Sequence, residues 1–362
     1  MRPAEAGATF PASAGRILDL QTVWMIGGRS SMIRYIIRRV LLMIPILLGV
    51  IIVVFTINFF SESSPAITIL GATATPEKVA QVEHELGLDR PYLEQLGNYL
   101  LNLITKFDLG NSYVYKTPVV KLIAARLPST VKIGLMGVLL SIVIGIPLGV
   151  LAAVKQYSVF DYGATLLSVI LSAVPSFWLA LMLITTFSVN LGWLPVSGVG
   201  TWKHYVLPVI SVAIGPIAMI TRMTRSSMLE VIRQDYIRTA RAKGLSEGNV
   251  VFHHVLQNGL IPVATIVGMM IGISMTGAII VETIFNIPGL GTLMNSSISS
   301  KDYITVQGCV LICAFIVTSM NLLTDIAYAI IDPRIKAQYT ASSGGRKREE
   351  KAETPKEGGD AA

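Results

Sequence analysis

Cysteine is nearly absent. Cys309 and Cys313 are the only two, one helical turn apart in an apolar segment, a placement that argues against a disulfide framework or metal site and for small packing residues. Histidine is scarce too. His253 and His254 are adjacent, so they point to different helix faces and make poor metal geometry. No histidine lies at membrane depth, which leaves an intramembrane enzyme without a credible nucleophile–base pair. There is no G-x-x-x-x-G-K-(S/T) phosphate loop, so the chain does not bind ATP by that route. Charge is sparse, at 14% of residues against 52% hydrophobic, with a mean hydropathy of +0.63. That places the chain in the membrane class. The formal charge of +7 does not imply nucleic acid, because the basic residues sit beside apolar blocks in the manner of the positive-inside rule.

A helix needs about 20 apolar residues to cross a bilayer core. Six segments qualify: 40–60, 131–154, 164–190, 206–223, 260–281 and 304–331. The expected class is therefore an all-α, polytopic membrane protein with six transmembrane helices. With both termini cytoplasmic, the inner side receives Arg34, Arg38, Arg39, Lys155 and the basic residues from Arg222 to Lys243, while the short outer loops keep only Lys203 and Lys301. Pro147, Pro175, Pro208 and Pro216 fall in or beside the segments, where neighbouring helices can satisfy freed carbonyls. Gly134, Gly137, Gly145 and Gly149 give small-xxx-small steps suited to close helix packing.

Residues 1–31 are rich in Ala, Gly and Ser, with no signal-peptide pattern. They are expected to be an unstructured extension, with Met32 an alternative start. Residues 32–60 hold the first span and 61–127 an external subdomain. Residues 128–336 are the core domain, with five further spans and a polar loop at 224–258. Residues 337–362 read as a disordered charged cytoplasmic tail. In the external subdomain, Thr75-Pro76-Glu77 reads as a helix start carrying Val79, Val82 and Leu86, and residues 91–104 as a second helix.

The long polar interruption is Met228–Pro262. Leu229, Ile232, Tyr236 and Ala240 recur at helical spacing, opposite Arg233, Gln234, Arg238 and Arg241. Gly244 follows Lys243 where a helix end favours positive φ. Ser246 and Glu247 then start a second short helix with Phe252 and Leu256 on one face, and Asn249, His253 and Gln257 on another. Two short amphipathic helices joined by a glycine turn suit contact with another protein at the membrane surface.

Tyr236-Ile237-Arg238-Thr239-Ala240-Arg241-Ala242-Lys243-Gly244-Leu245 resembles the "EAA" loop of ABC-importer permeases, in the form used by oligopeptide and dipeptide permeases. Arg238-Thr239 replaces the general Glu-Ala, and Asn258-Gly259-Leu260-Ile261-Pro262 follows later than usual; both are typical of the peptide branch. Val281-Glu282-Thr283-Ile284-Phe285-Asn286-Ile287-Pro288-Gly289-Leu290-Gly291 and Tyr328-Ala329-Ile330-Ile331-Asp332-Pro333-Arg334 match in the same order, so the resemblance covers residues 32–336.

That resemblance implies the type I ABC-importer fold and a B-type permease subunit in the bacterial inner (plasma) membrane. The implied partners are a homologous second permease, two cytoplasmic ATPases that use ATP and Mg, and an extracytoplasmic substrate-binding protein. The external subdomain would lie near the binding protein's docking site, or else be a folded cover with no partner. No cofactor, metal or nucleic acid is expected on this chain. The ATPase-coupling residues it implies are Arg233, Asp235, Tyr236, Arg238, Thr239, Ala240, Arg241, Lys243, Gly244, Leu245, Glu247 and His254.

Polar groups in the apolar segments are candidates for a path or gate, since a charge at the bilayer centre costs about 2.5–3.5 kcal/mol. Asp325 lies inside the sixth segment, able to pair with an arginine, bond a neighbouring helix or face a wet cavity. Glu282 sits at the outer end of the fifth, either shaping a gate or anchoring in headgroups or water. Ser168, Ser172 and Ser176 form a stripe on the third segment. Met269, Met270, Ser274 and Met275 give the fifth an adaptable surface suited to varied cargo, or ordinary packing. Nickel, glutathione and sugar importers share the architecture. An ion-coupled secondary transporter would need inverted repeats and several buried ionisable groups, and neither is evident.

Overall fold

The computed structural model describes residues 14–61, 64–71 and 74–331, with side chains placed within residues 36–326. The chain divides into two compact units: Met43–Tyr328, and the residues before and after it. All packing below lies within Met43–Tyr328.

The first helix, α1 (Ala14–Phe59), runs through Pro45. Residues 14–31 are therefore helical rather than unstructured. The Gly27-Gly28 pair does not stop a helix that the apolar run beyond it propagates; residues 1–13 and 337–362 lie outside the described residues. Only 6% of the most apolar window of Ile36–Phe59 is buried, against 56% for α8 (Lys203–Ile232). That stretch of α1 is thus little covered by the other described helices, and α8 is the bundle's centre. Between the first two spans α2 (Pro65–Leu70) leads to α3 (Pro76–Glu85) and α4 (Tyr92–Lys106), close to the two helices read from sequence. α4 is riveted to α1: Tyr92 Oη lies 2.8 Å from Thr56 Oγ1, and the rings of Tyr92 and Tyr99 pack on Phe55 at 5.8 and 6.0 Å.

α5 (Val119–Val154) packs most extensively on α8, which also meets α6 (Val159–Ala173) and α11 (Leu256–Ile284). The glycines of α5 make this contact. A Cβ on Gly137 would stand 2.9 Å from Val212 Cγ1, and one on Gly145 2.9 Å from Ile220 Cγ2. Ser141 Oγ donates to Gly137 O at 2.7 Å and across the seam to Ala213 O at 3.1 Å. That acceptor is one residue from the carbonyl that Pro216 deprives of its helical donor.

The third span is broken. α6 and α7 (Ser176–Leu183) meet at 98°. Val174 is extended at ψ 120 ahead of Pro175, as a pre-proline residue prefers, and Pro175 supplies no N–H to continue the helix. A π-helical stretch, Ile184–Asn190, follows α7. The remaining five segments are unbroken spans, so the bundle crosses up to six times.

α9 (Asp235–Ala242) and α10 (Glu247–Asn249) follow α8; α10 continues through a π-helical Val250–Val255 into α11. α12 (Leu290–Ser299) and α13 (Tyr303–Ile331) close the order. Asp302, fully buried, accepts from Ser112 Oγ (2.5 Å), Thr305 Oγ1 (2.7 Å) and Tyr113 N–H (3.2 Å), joining the turn before α5 to the start of α13. Cys309 and Cys313 are free thiols within the apolar cluster around Val119 and Leu290.

Candidate functional site

At one end of the bundle the chain makes an elbow. α8 stops at Ile232, and Gln234 is extended (φ −71, ψ 147) before α9 begins. This break shifts the helical phase. Tyr236, expected on the apolar stripe, is 46% exposed, while Ile237 is fully buried in its place, with Ala240 beside it. Ile237 sits among Ala153 of α5, Met228 of α8 and Val250, Val251 and Val255 of the helix entering α11. Burying such a side chain contributes about 1.5–3 kcal/mol, so α9 is anchored at one point to the ends of three spans.

Its other surface is open. Arg233, Asp235, Arg238, Thr239, Lys243 and Leu245 are all exposed. Gly244 has φ +81, and nothing lies within 4 Å of where its Cβ would be. The glycine is thus required by backbone conformation, not by crowding. Across the turn Arg241 and Glu247 pair with each other in a fork, at 2.7 and 3.2 Å. Both are solvent-accessible, so the pair adds little stability. The second amphipathic piece is not a separate helix, since Glu247–Ile284 is continuous. The wider π turn also rotates the expected face, leaving Phe252 62% exposed. His254 is half-buried, and its carbonyl accepts from Asn258 Nδ2 at 2.9 Å.

Just beyond the elbow lies an ion pair absent from the sequence-based candidates. Asp161, 2% exposed in α6, receives both Nε and Nη2 of Arg225 on α8, and Tyr157 N–H donates to it at 3.0 Å. Ser158 accepts from the Asp161 N–H at 3.4 Å as the N-cap. The signal was the Ser-x-x-Asp spacing before an apolar run. Beside the pair, Gly149 lets α5 approach α8, since a Cβ there would stand 2.7 Å from Thr221 O.

The expected serine stripe does not survive the bend. Ser168 is buried and donates to Ala164 O at 2.8 Å. Ser172 is exposed and reached by Arg222 Nη1 at 3.4 Å, and Ser176 lies past the break as the first residue of α7. On α11, Met269 is exposed and Ser274 buried with its hydroxyl unpartnered. Met270 is buried, and Met275 is buried where its Sδ would stand 3.0 Å from a Gly134 Cβ. Asp325 is half-buried and engaged with a partner. At 1.5 Å per residue it lies about 33 Å along α13 from Tyr303, toward the end of the helix.

Glu282 differs most from expectation. It is fully buried, not at a headgroup surface. Its Oε2 accepts from Gly291 N–H at 2.7 Å, so the carboxylate caps α12, and Thr130 Oγ1 accepts from Leu290 N–H at 2.8 Å. A Cβ on Gly289 would overlap the carboxylate, and one on Gly291 the Ile279 backbone. The Glu282…Pro288-Gly289-Leu290-Gly291 spacing thus builds a tight corner between α11 and α12. Among the described residues, no group of three or more His, Cys, Asp or Glu side chains could hold a metal ion.

Residues 145–337 match the family described as binding-protein-dependent transport system inner membrane component, and residues 32–134 its N-terminal membrane-component family. The chain is 41% identical over 333 residues to a dipeptide transport system permease protein, DppB, of Alkalihalophilus pseudofirmus, covering 84% of this chain and all of that one. The oligopeptide permease AppB of Bacillus subtilis is 44% identical over 316 residues, with 84% and 100% covered. For Escherichia coli DppB the identity is 37% over 337 residues, with 84% and 99% covered. Among solved structures, an inward-facing MetNI methionine ABC transporter chain superposes with a TM-score of 0.50 at 19% identity, over 58% of this chain and 96% of that one. That likeness concerns the fold alone. With helices of this length and these relatives along most of its length, the chain belongs to the multi-pass inner-membrane permease components of binding-protein-dependent transport systems.

Proposed function

We propose that this permease carries peptides inward, with both termini and the α9 elbow on the cytoplasmic side. Two ATPase subunits receive the elbow, a second permease completes the path, and an external binding protein delivers cargo. One observation carries the reading: the elbow shows an outward surface of Arg233, Tyr236, Arg238 and Lys243, while Ile237 ties it to the ends of α5, α8 and α11. A push on this surface reaches three spans at once. Such a push alternates access only if nucleotide closure favours one of two arrangements of those spans. The chemistry of ATP and Mg then belongs to the partners, and this chain supplies the contact and the relay. Peptide cargo rests on the names of the relatives, whereas nickel, glutathione or sugar cargo has no observation in its favour. Family membership sets the ion-coupled reading aside.

The test is Gly244→Val in the full transporter. A β-branched side chain at φ +81 is strained, yet it meets nothing in space, so insertion and assembly should persist. ATP hydrolysis should continue while dipeptide uptake into proteoliposomes falls at least tenfold. Uptake at the wild-type rate would remove the coupling role.

A further inference from the structure

At the end of the bundle where α1 finishes and α13 begins, a cleft of about 360 Å³ opens among α1, α3, α4, the Tyr113 turn and α13. It is far larger than one water's share of liquid volume, about 30 Å³. Five aromatic rings line it, Phe55, Tyr99 and Tyr113 among them, and Glu83 is the one charged side chain in the lining. Glu83 Oε1 accepts from Ser64 Oγ at 2.5 Å, and no hydrogen bond among the described residues takes its second oxygen.

Two further groups are unsatisfied. Gln307 is 5% exposed, and its Oε1 accepts from Asn58 Nδ2 at 3.1 Å while its Nε2 has no partner. Tyr99 Oη is likewise buried with no partner at hydrogen-bond distance, its polar neighbour being the Gln307 side chain itself. Burial pushes the Tyr99 phenol up to about 12, so it keeps its proton as a donor. A buried donor left unmade costs about 1–3 kcal/mol, and such groups call for an occupant.

We propose that this cleft binds a primary ammonium group flanked by a hydrogen-bond-accepting oxygen. Glu83 and the ring faces attract the cation, and Gln307 N–H and Tyr99 O–H meet the neighbouring oxygen. Two sources carry that chemistry: the amino-terminal end of a peptide and the headgroup of phosphatidylethanolamine. The inference rests on the proposed function only in the choice of peptide probe.

The experiment uses the complete transporter in nanodiscs of phosphatidylcholine and phosphatidylglycerol, without nucleotide or binding protein. Radiolabelled Ala-Ala should bind, and N-acetyl-Ala-Ala at least tenfold more weakly. Glu83→Gln and Gln307→Leu should each weaken Ala-Ala binding at least tenfold, with subunit assembly and basal ATPase rate as checks on folding. Should Gln307→Leu fail to assemble, Glu83→Gln alone decides. A second arm adds phosphatidylethanolamine. Retention of that lipid by the wild type, lost in Glu83→Gln on native mass spectrometry and without Ala-Ala binding, identifies lipid as the source. Equal binding of the acetylated peptide, or unchanged affinity in Glu83→Gln without lipid retention, overturns the site. If ATP-driven uptake of Ala-Ala persists in the wild type while the cleft binds neither probe, this inference falls and the transport reading stands.

Discussion

Two residues show how a membrane helix keeps a carboxylate. Glu282 is held by the N–H groups opening α12, Asp161 by an arginine fork and a backbone N–H. In each case the neighbours are specific, so substitution effects are specific too. Gly291→Ala drives a methyl into the Ile279 backbone, and overpacking of that kind costs about 1–3 kcal/mol. The variant should melt lower in detergent, whereas Gly163→Ala, whose Cβ meets nothing within 4 Å, should melt at or slightly above the wild type. Asp161→Asn leaves Arg225 without its counter-charge. Arg225 is 28% exposed at its side chain, so the loss should be about 2 kcal/mol, below the ~3–5 kcal/mol of a fully buried pair. Chemical denaturation of Asp161→Asn, Arg225→Met and the double variant should show coupling, with the double variant recovering part of the loss. Additive single effects would show that the pair is not an energetic unit.

At the scale of elements, length and apolarity made the spans legible, and a proline after a helix start made α3 legible. Position within a helix was not. The Tyr236 stripe failed because a break at Gln234 re-phased the periodicity, and the Phe252 face failed because a π turn did the same. The break at Gln234 has no proline or glycine beside it to announce it. Pro175 was visible, but a proline in a span reads equally as a mild kink, and only packing decides on 98°. Glu282 looked like an end-of-span residue because its capped partner, α12, is too short to stand out from sequence as a separate helix. The elements between the first two spans carry their own prediction. Burial raises the phenols of Tyr99 and Tyr113 from 10.0 to about 12. A folded-state value above the unfolded one adds stability that is complete below pH 10 and is lost as pH rises toward 12. In a tyrosinate absorbance titration, Tyr99→Phe with Tyr113→Phe should lack a late phase seen in the wild type, and the α4 segment should loosen over that alkaline window.

For the whole molecule, the choice of sides follows from where the basic residues fall. A cysteine at Lys243 should react with membrane-impermeant maleimide only in inverted vesicles, and one at Lys203 only in intact cells. Reversed labelling would turn the proposed orientation over and with it the elbow's access to ATPases.

The unbroken run from Glu247 to Ile284 holds 38 residues, about 57 Å of helix, against a hydrocarbon layer of about 30 Å. The rod is nearly twice as long as that layer is thick. Pivoting at its midpoint by about 10° would swing each tip by about 5 Å, roughly the width of one amino-acid step in an extended chain plus its clearance. Angular economy of this kind would let a small torque on one end of the rod become a passage-sized step at the other.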